Sequence, residues 1–200
     1  MLQQTQVSRV LDFYHGFITR FPDLESLASA RPAQVLKQWQ GLGYYARARN
    51  LHKLARHVVR EEPTSVYGAT LPADPGALRV LPGVGAYTAG AVASFAYERR
   101  AALVDTNVAR VLHRYFAPSL NPKRARDLTV LWAIADAILP RTGAAVWTHN
   151  QALMELGALV CTARVAHCGR CPVRTLCQTA NQGADDGAGM RTRQAKRKVK

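Results

Sequence analysis

The stretch that decides the fold is residues 78–92, LRVLPGVGAYTAGAV. It predicts a helix that ends near Leu81, because Pro82 cannot continue it, then a glycine turn and a new helix from about Ala86. Glycines let a backbone approach an anion closely, and the first N–H groups of a helix attract phosphate. Such a hairpin is either an ordinary connection between helices or a grip on a DNA backbone. The candidate DNA contacts are Leu81, Gly83, Val84 and Gly85.

The rest of the chain also has helical periodicity. Apolar residues recur at helical spacing in residues 7–21, 47–60 and 127–139. Asp23 is placed to cap a short helix, and Pro32 lies where a first helical turn tolerates proline. No segment alternates apolar and polar residues between turn signals, as half-buried strands do. The sequence therefore predicts an all-α protein.

Charge indicates the kind of partner. The 200 residues carry 27 Lys and Arg against 13 Asp and Glu, which gives a net charge of +14. The last eleven residues hold six cations and no acid, so the preceding body is still at +8. This favours a nucleic acid over a membrane surface, although basic proteins are often merely soluble. No apolar run approaches the ~18 residues of a membrane span, and no export signal is evident, so we expect a cytoplasmic protein without membrane association.

The four cysteines predict a metal site. Cys161, Cys168, Cys171 and Cys177 form a C-x6-C-x2-C-x5-C pattern within 17 residues, and the chain has no other cysteine. Disulfides suit a cytosolic protein poorly, whereas four thiolates can hold zinc or an iron–sulfur cluster. The spacing differs from the paired knuckles typical of zinc, so we favour a cluster. Arginines between the cysteines either face DNA or are simply solvated.

Several strings together resemble one protein family. MLQQTQV, GLGYYARARNLHK, LPGVGAYTAGA, VDTNVARVL and NQALMELGALVCT are similar to the helix-hairpin-helix DNA glycosylases, which include endonuclease III, and in detail to the adenine DNA glycosylases (MutY type). The resemblance covers residues 1 to about 180. It implies a six-helix barrel domain at 1–98 with its hairpin at 81–85, and a helical cluster domain at 99–180 with a cysteine loop at 161–177. Residues 181–200 are expected to be a flexible basic linker.

The resemblance also implies a function. Family members remove adenine mispaired with 8-oxoguanine or guanine in double-stranded DNA, and they carry a [4Fe-4S] cluster. By resemblance, the four cysteines would hold this cluster, and the chain would act as a monomer.

Catalytic roles are carried over at two positions. Asp105 matches the family's catalytic aspartate, whose carboxylate stabilises the cationic sugar; its alternative role is the N-cap of a helix, which Thr106 or Asn107 could also fill. Tyr87 stands where relatives that also cut the backbone have a lysine, so the resemblance implies a monofunctional enzyme. Its alternative role is that of a partly buried aromatic residue.

Three further residues match family positions that contact DNA. Gln4 and Tyr44 match residues inserted into the duplex near the orphaned base, whereas the neighbouring Tyr45 is expected in the core. Gln151 matches a position that contacts the flipped adenine.

The sequence also departs from the family pattern. The family's general acid is a glutamate two residues upstream of the methionine that corresponds to Met1, and the family's 8-oxoguanine-reading domain follows the linker. We therefore expect a truncated chain that binds DNA and excises poorly, since a general acid contributes ~10²–10⁴-fold. A related mismatch glycosylase and a non-catalytic iron–sulfur DNA-binding module remain alternatives.

Overall fold

A computed structural model describes residues 1–2, 5–61 and 69–183, which divide into two compact units, Met1–Gly85 and the chain from Ala86 onward. Within these residues there is no strand, only an isolated bridge between Cys161 and Ala166, so the all-α prediction is confirmed. No helix in this part of the chain is long and apolar enough to cross a membrane. The helices are α1 Val7–Arg20, α2 Leu24–Ser29, α3 Pro32–Gln38, α4 Ala46–Glu61, α5 Pro75–Arg79, α6 Ala86–Tyr97, α7 Thr106–Phe116, α8 Ala125–Ala137, α9 Gly143–Glu155 and α10 Gln178–Asn181.

The first unit is built around Trp39, which is 1% exposed. Its ring stands edge-on to Phe17 at 5.8 Å, and its Nε1 donates to the carbonyl of Gly43 at 3.1 Å. Helix α4 packs against α2 and α3, and Asp23 caps α2 as the sequence predicts, accepting from the Ser26 amide at 2.7 Å. One aromatic core thus fixes the start of α4, because Trp39 holds the turn at Gly43 that leads into the helix.

Helix α1 buries only part of its apolar stripe. Val10 and Phe17 are in the core, and Phe21 follows them directly after the helix ends. The other apolar side chains of the stripe are 42–62% exposed: Val7, Leu11, Tyr14 and Ile18. Helical spacing predicts the helix correctly, but it overstates how much of the apolar face is buried.

The second unit depends on close helix packing. Helix α6 carries small buried residues, and a Cβ at Gly90 would lie 2.0 Å from the carbonyl oxygen of Ala102. The buried amide of Asn150 on α9 donates to Ser94 Oγ at 2.9 Å and to the Ala101 carbonyl at 3.0 Å. These contacts hold α6 and α9 against residues 101–104, which lead directly into α7.

The division into units differs from the predicted domain boundary at residue 98. Helix α6 belongs with the helices that follow it, because its small-residue face packs on Ala102 and α9. The assignment of residues 1–98 and 99–180 to a barrel domain and a cluster domain stays a prediction. Most of the predicted linker at 181–200 lies outside the described residues.

Gly90→Ala is expected to destabilise the second unit, because the new methyl group overlaps the Ala102 carbonyl. Overpacking of this kind costs about 1–3 kcal/mol. Gly16→Ala in α1 is the matched control, since a Cβ at this position would meet only Gln38 Oε1, at 4.0 Å. Alanine there gains up to about 1 kcal/mol of helix propensity. Thermal denaturation should show a lower Tm for Gly90→Ala but not for Gly16→Ala. Equal Tm values for the two variants would contradict this packing argument.

Candidate active site and cysteine cavity

Asp105 is half-buried and begins α7 as its N-cap. Its Oδ1 accepts the backbone N–H of Val108 at 2.7 Å, and its Oδ2 accepts from Asn107 Nδ2 at 3.0 Å. The cap is therefore Asp105 itself and not Thr106 or Asn107, which the sequence analysis offered for that role. The two hydrogen bonds fix the orientation of the carboxylate, and neither donor carries a full charge. The Arg110 guanidinium on the same helix interacts with this carboxylate electrostatically.

Tyr87 lies on the first turn of α6 and is half-buried against the core of the second unit. Burial raises the pKa of its hydroxyl, and the nearby Asp105 carboxylate raises it further. Both effects disfavour a phenolate, so the hydroxyl keeps its proton at neutral pH and can donate a hydrogen bond. The structure thus brings the two predicted catalytic residues into one electrostatic environment.

Helix α7 connects Asp105 to the cysteine segment through two arginines. Arg110 donates from Nη2 to Asn107 Oδ1 at 2.8 Å and to the Gly157 carbonyl at 2.7 Å, and from Nε to the Cys161 carbonyl at 2.8 Å. Four residues on, Arg114 Nη1 donates to Cys161 Sγ at 3.2 Å and to the Thr162 carbonyl at 2.8 Å. Sequence reasoning missed these arginines, although their i, i+4 spacing after Asp105 places them on one helix face.

Close backbone approach makes these bonds possible. A π-helical turn, Leu156–Val160, follows α9 and precedes Cys161. Within it Gly157 is buried, and a Cβ at this position would lie 2.8 Å from the Cβ of Asn107. Only glycine therefore lets the turn lie against α7 and present its carbonyls to Arg110.

All four cysteines line one cavity and are half-buried. Arg114 also lines it, and the Cys177 thiol lies 3.5 Å from the Arg114 carbonyl. Among the described residues, no three Cys, His, Asp or Glu side chains meet in the arrangement of a metal-binding group. The donor set still fits the predicted centre, because four thiols share a cavity with a guanidinium that can offset thiolate charge.

The predicted hairpin turn lies at residues 80–85, between the end of α5 and the start of α6. Gly83 has a φ of +77°, and a Cβ there would lie 2.6 Å from the Cβ of Asn50 on α4, so glycine is required on both counts. Gly85 is exposed, and a Cβ there would meet nothing within 4 Å. Leu81 is 7% exposed, so its side chain belongs to the core and only its backbone is available to a ligand.

Tyr44 precedes α4 in a strained, exposed conformation. It has a φ of +48° and is 62% exposed, and the Arg47 guanidinium lies 5.5 Å from its ring centroid. A non-glycine residue in this region is uncommon and is retained mostly at functional sites. Tyr45 is 38% exposed, so the expectation that it lies in the core is wrong. The turn that strains Tyr44 also leaves its neighbour at the surface.

Two predicted contacts remain, Gln4 and Gln151. Gln4 lies outside the described residues. Gln151 is on α9, where its Nε2 donates to Glu155 Oε1 at 2.9 Å, one turn further along the same helix. Its contact with a flipped base stays a prediction.

These features are those of a helical DNA repair protein with a helix-hairpin-helix turn. The family model described as "HhH-GPD superfamily base excision DNA repair protein" matches residues 1–133. The chain belongs to this superfamily.

The chain is similar to adenine DNA glycosylases from several organisms. It is 44% identical to the human enzyme over 181 residues, which cover 89% of this chain and 32% of that protein. It is 45% identical to the enzyme of Mycolicibacterium smegmatis over 174 residues, which cover 86% of this chain and 56% of that one. The chain therefore spans between about a third and about half of the length of these relatives.

Solved structures support the same fold. A thermostable thymine-DNA glycosylase matches with a TM-score of 0.78 and 30% identity, covering 90% of this chain and 80% of that one. A trapped endonuclease III–DNA covalent intermediate matches with a TM-score of 0.73 over 92% of this chain and 81% of that one; its 23% identity supports the fold alone.

Two substitutions should separate the capping role of Asp105 from its charge. Asp105→Ala removes the bond from Val108 N–H and should lower the free energy of unfolding by about 1 kcal/mol. Asp105→Asn can still accept that bond, since asparagine caps helices well, and should cost less. Thermal or urea denaturation compares the two variants; an equal loss in both would mean that the carboxylate's charge, and not the cap, stabilises α7.

Proposed function

We propose that this chain supplies the excision machinery of an adenine DNA glycosylase, which hydrolyses the N-glycosidic bond of adenine mispaired with 8-oxoguanine or guanine in duplex DNA. The observation that carries the proposal is the Asp105 carboxylate, held at the N-terminus of α7 by two hydrogen bonds beside Tyr87. The 44–45% identity to adenine DNA glycosylases over most of the chain supports the choice of base.

Asp105 suits the charge that develops in this reaction. Cleavage of the N-glycosidic bond builds positive charge on the sugar, as in other glycoside hydrolyses. A carboxylate fixed before substrate arrives stabilises that charge without having to reorient. The base leaves after gaining a proton from the general acid, for which the family resemblance implies a glutamate upstream of Met1. A water molecule then adds to the sugar cation and returns its proton to the conjugate base of that acid.

Tyr87 limits the reaction to base removal. A lysine at this position could form a Schiff base with the sugar and allow strand cleavage, whereas a phenol cannot. Because its pKa is raised, the Tyr87 hydroxyl can instead donate a hydrogen bond beside the reacting sugar. The chain would therefore leave an abasic site with an intact backbone.

DNA binding would use the hairpin turn and the loop before α4. Gly83 and Gly85 are both exposed, so the turn can bring its backbone N–H groups close to a phosphate. Tyr44 presents an exposed ring that can fill the space left by a flipped nucleotide, and Gln4 would accompany it. Both contacts hold the duplex without reading its sequence.

The cysteine cavity would hold a [4Fe-4S] cluster through Cys161, Cys168, Cys171 and Cys177. Such a cluster supplies a redox-capable, cross-linking centre when it is bound. This chain's part is to place four thiols on one cavity and to set Arg114 beside Cys161 Sγ. The guanidinium would lie beside the ligands and offset part of the negative charge of the bound cluster.

The excision proposal is tested by single-turnover release of adenine from a duplex with adenine opposite 8-oxoguanine. The chain is compared with a version extended upstream to supply the family's glutamate, and Asp105→Asn is placed in the extended version. We expect release by the extended version, a decrease of at least ~10²-fold without the glutamate, and loss of release with retained duplex binding in Asp105→Asn. Strand cleavage should be absent from all three reactions.

Two results would contradict this function, and a third would contradict the catalytic role of Asp105. Release of thymine opposite guanine in place of adenine would favour a mismatch glycosylase, in keeping with the thymine-DNA glycosylase among the similar structures. Duplex binding without any base release by either version would favour a non-catalytic DNA-binding module. Turnover that survives in Asp105→Asn would show that Asp105 serves only as a cap.

The cluster proposal is tested by Cys171→Ser. We expect the purified chain to be brown, with absorbance near about 400 nm and bound iron. The Cys171→Ser variant should lose the absorbance, the iron and the affinity for duplex DNA. Thr175→Ser, in the same loop, is the matched control and should leave the absorbance, the bound iron and the duplex affinity unchanged. Colourless protein that contains stoichiometric zinc would instead assign the four cysteines to a zinc site.

A further inference from the structure

Helix α4 carries a line of cations that the proposed active site does not use. Arg49, Lys53 and Arg56 are all exposed and follow one another at i, i+4 and i+7, which places them on one face of the helix. We call these three residues the α4 cation stripe. The opposite face of α4 is buried against α2 and α3, so the stripe faces outward from the first unit.

Among the described residues, none of the three side chains of the stripe makes an ion pair or hydrogen bond with another side chain. Arg60 continues the same face, but it pairs with Glu61 at 3.0 Å. Glu61 is the single acid of the helix, so three cations at the start and middle of α4 present their charge to solvent. A face that merely solvates a helix more often mixes charges of both signs.

The position of the stripe connects it to the hairpin turn. Asn50, next to Arg49, lies against Gly83 so closely that a Cβ at that glycine would be 2.6 Å from the Asn50 Cβ. Tyr44 lies just before the same helix. The stripe therefore begins where the proposed DNA contacts of the first unit are, and it extends away from them along α4.

We infer that the α4 cation stripe is an additional contact for the phosphate backbone of duplex DNA, flanking the segment held by the hairpin turn. The inference rests on the proposed function. The stripe covers about 10 Å of helix axis, and one DNA strand presents a negative charge about every 3.4 Å of duplex axis. Three phosphates are therefore within reach of three flexible cations.

An anionic membrane surface fits the stripe less well. A helix that lies on a membrane inserts an apolar face and holds its cations at the margin. In α4 the apolar side chains are the buried ones, and no large hydrophobic residue of this helix is exposed. A polyanion that needs only charge and surface exposure, such as the DNA backbone, matches the stripe better.

The test measures duplex affinity as a function of salt for the chain, for R49Q/K53Q/R56Q, and for K123Q/R124Q/R126Q. The last is a matched control, because it removes three exposed cations from the segment at the start of α8 and changes the net charge equally. Each phosphate contact contributes about −0.9 to the slope of log K against log [salt]. The stripe variant should reduce the steepness of that slope by about 2.7 and weaken binding at least tenfold near ~0.1 M salt.

The control variant should leave the slope close to that of the unmodified chain, and circular dichroism checks that both variants fold. An unchanged slope in the stripe variant, or equal reductions in both variants, would overturn the inference while the proposed function stands. Failure of the unmodified chain to bind duplex DNA at all would instead count against the proposed function. Loss of binding to phosphatidylserine vesicles with an unchanged DNA slope would assign the stripe to a membrane and overturn the inference as well.

Discussion

The bonds from Arg110 and Arg114 to the carbonyl oxygens around Cys161 are the constraint on which the second unit depends. The carbonyls at the end of a helix lack partners within the helix, and here the π-helical turn leaves those of Gly157 and Cys161 for the two guanidiniums. Because both arginines belong to α7, the start of the cysteine segment is fixed to the helix that Asp105 caps. Partly buried hydrogen bonds thus run without a break from the cysteine segment to the residues around Asp105.

This arrangement explains why a glycine lies in the middle of the turn. Gly157 has no side chain to separate the turn from Asn107, and the short distance brings its carbonyl within 2.7 Å of Arg110 Nη2. Asn107 in turn lies between Arg110 and Asp105, accepting from one and donating to the other. The side-chain amide of Asn107 thus links the Arg110 guanidinium to the Asp105 carboxylate.

The sequence predicts the fold well where local chemistry decides it. Asp23 and Pro32 start helices where capping and the fixed φ of proline require it, and helical spacing locates α1, α4 and α8. The sequence predicts burial less well, because burial depends on contacts between residues that are far apart in the chain. The exposed part of the apolar stripe of α1 and the exposure of Tyr45 are examples. Leu81 is a further example: its side chain is buried in the core, so only its backbone can contact a ligand.

The candidate site also contains residues that the sequence predicts and residues that only the structure reveals. The cysteines are recognisable from residue type and spacing, and Asp105 and Tyr87 are recognisable from the family resemblance. The roles of Arg110 and Arg114, in contrast, require knowing that the chain returns to α7 at residue 161. Capping and catalysis at Asp105 are also compatible, although sequence reasoning treats them as alternatives. The cap bond and the Asn107 amide each use one carboxylate oxygen, and neither donor carries a full charge. A carboxylate held in this way has lost its rotational freedom, and although the Arg110 guanidinium interacts with it electrostatically, no charged group is bonded to its oxygens. Such a fixed carboxylate can stabilise a developing cation without having to reorient.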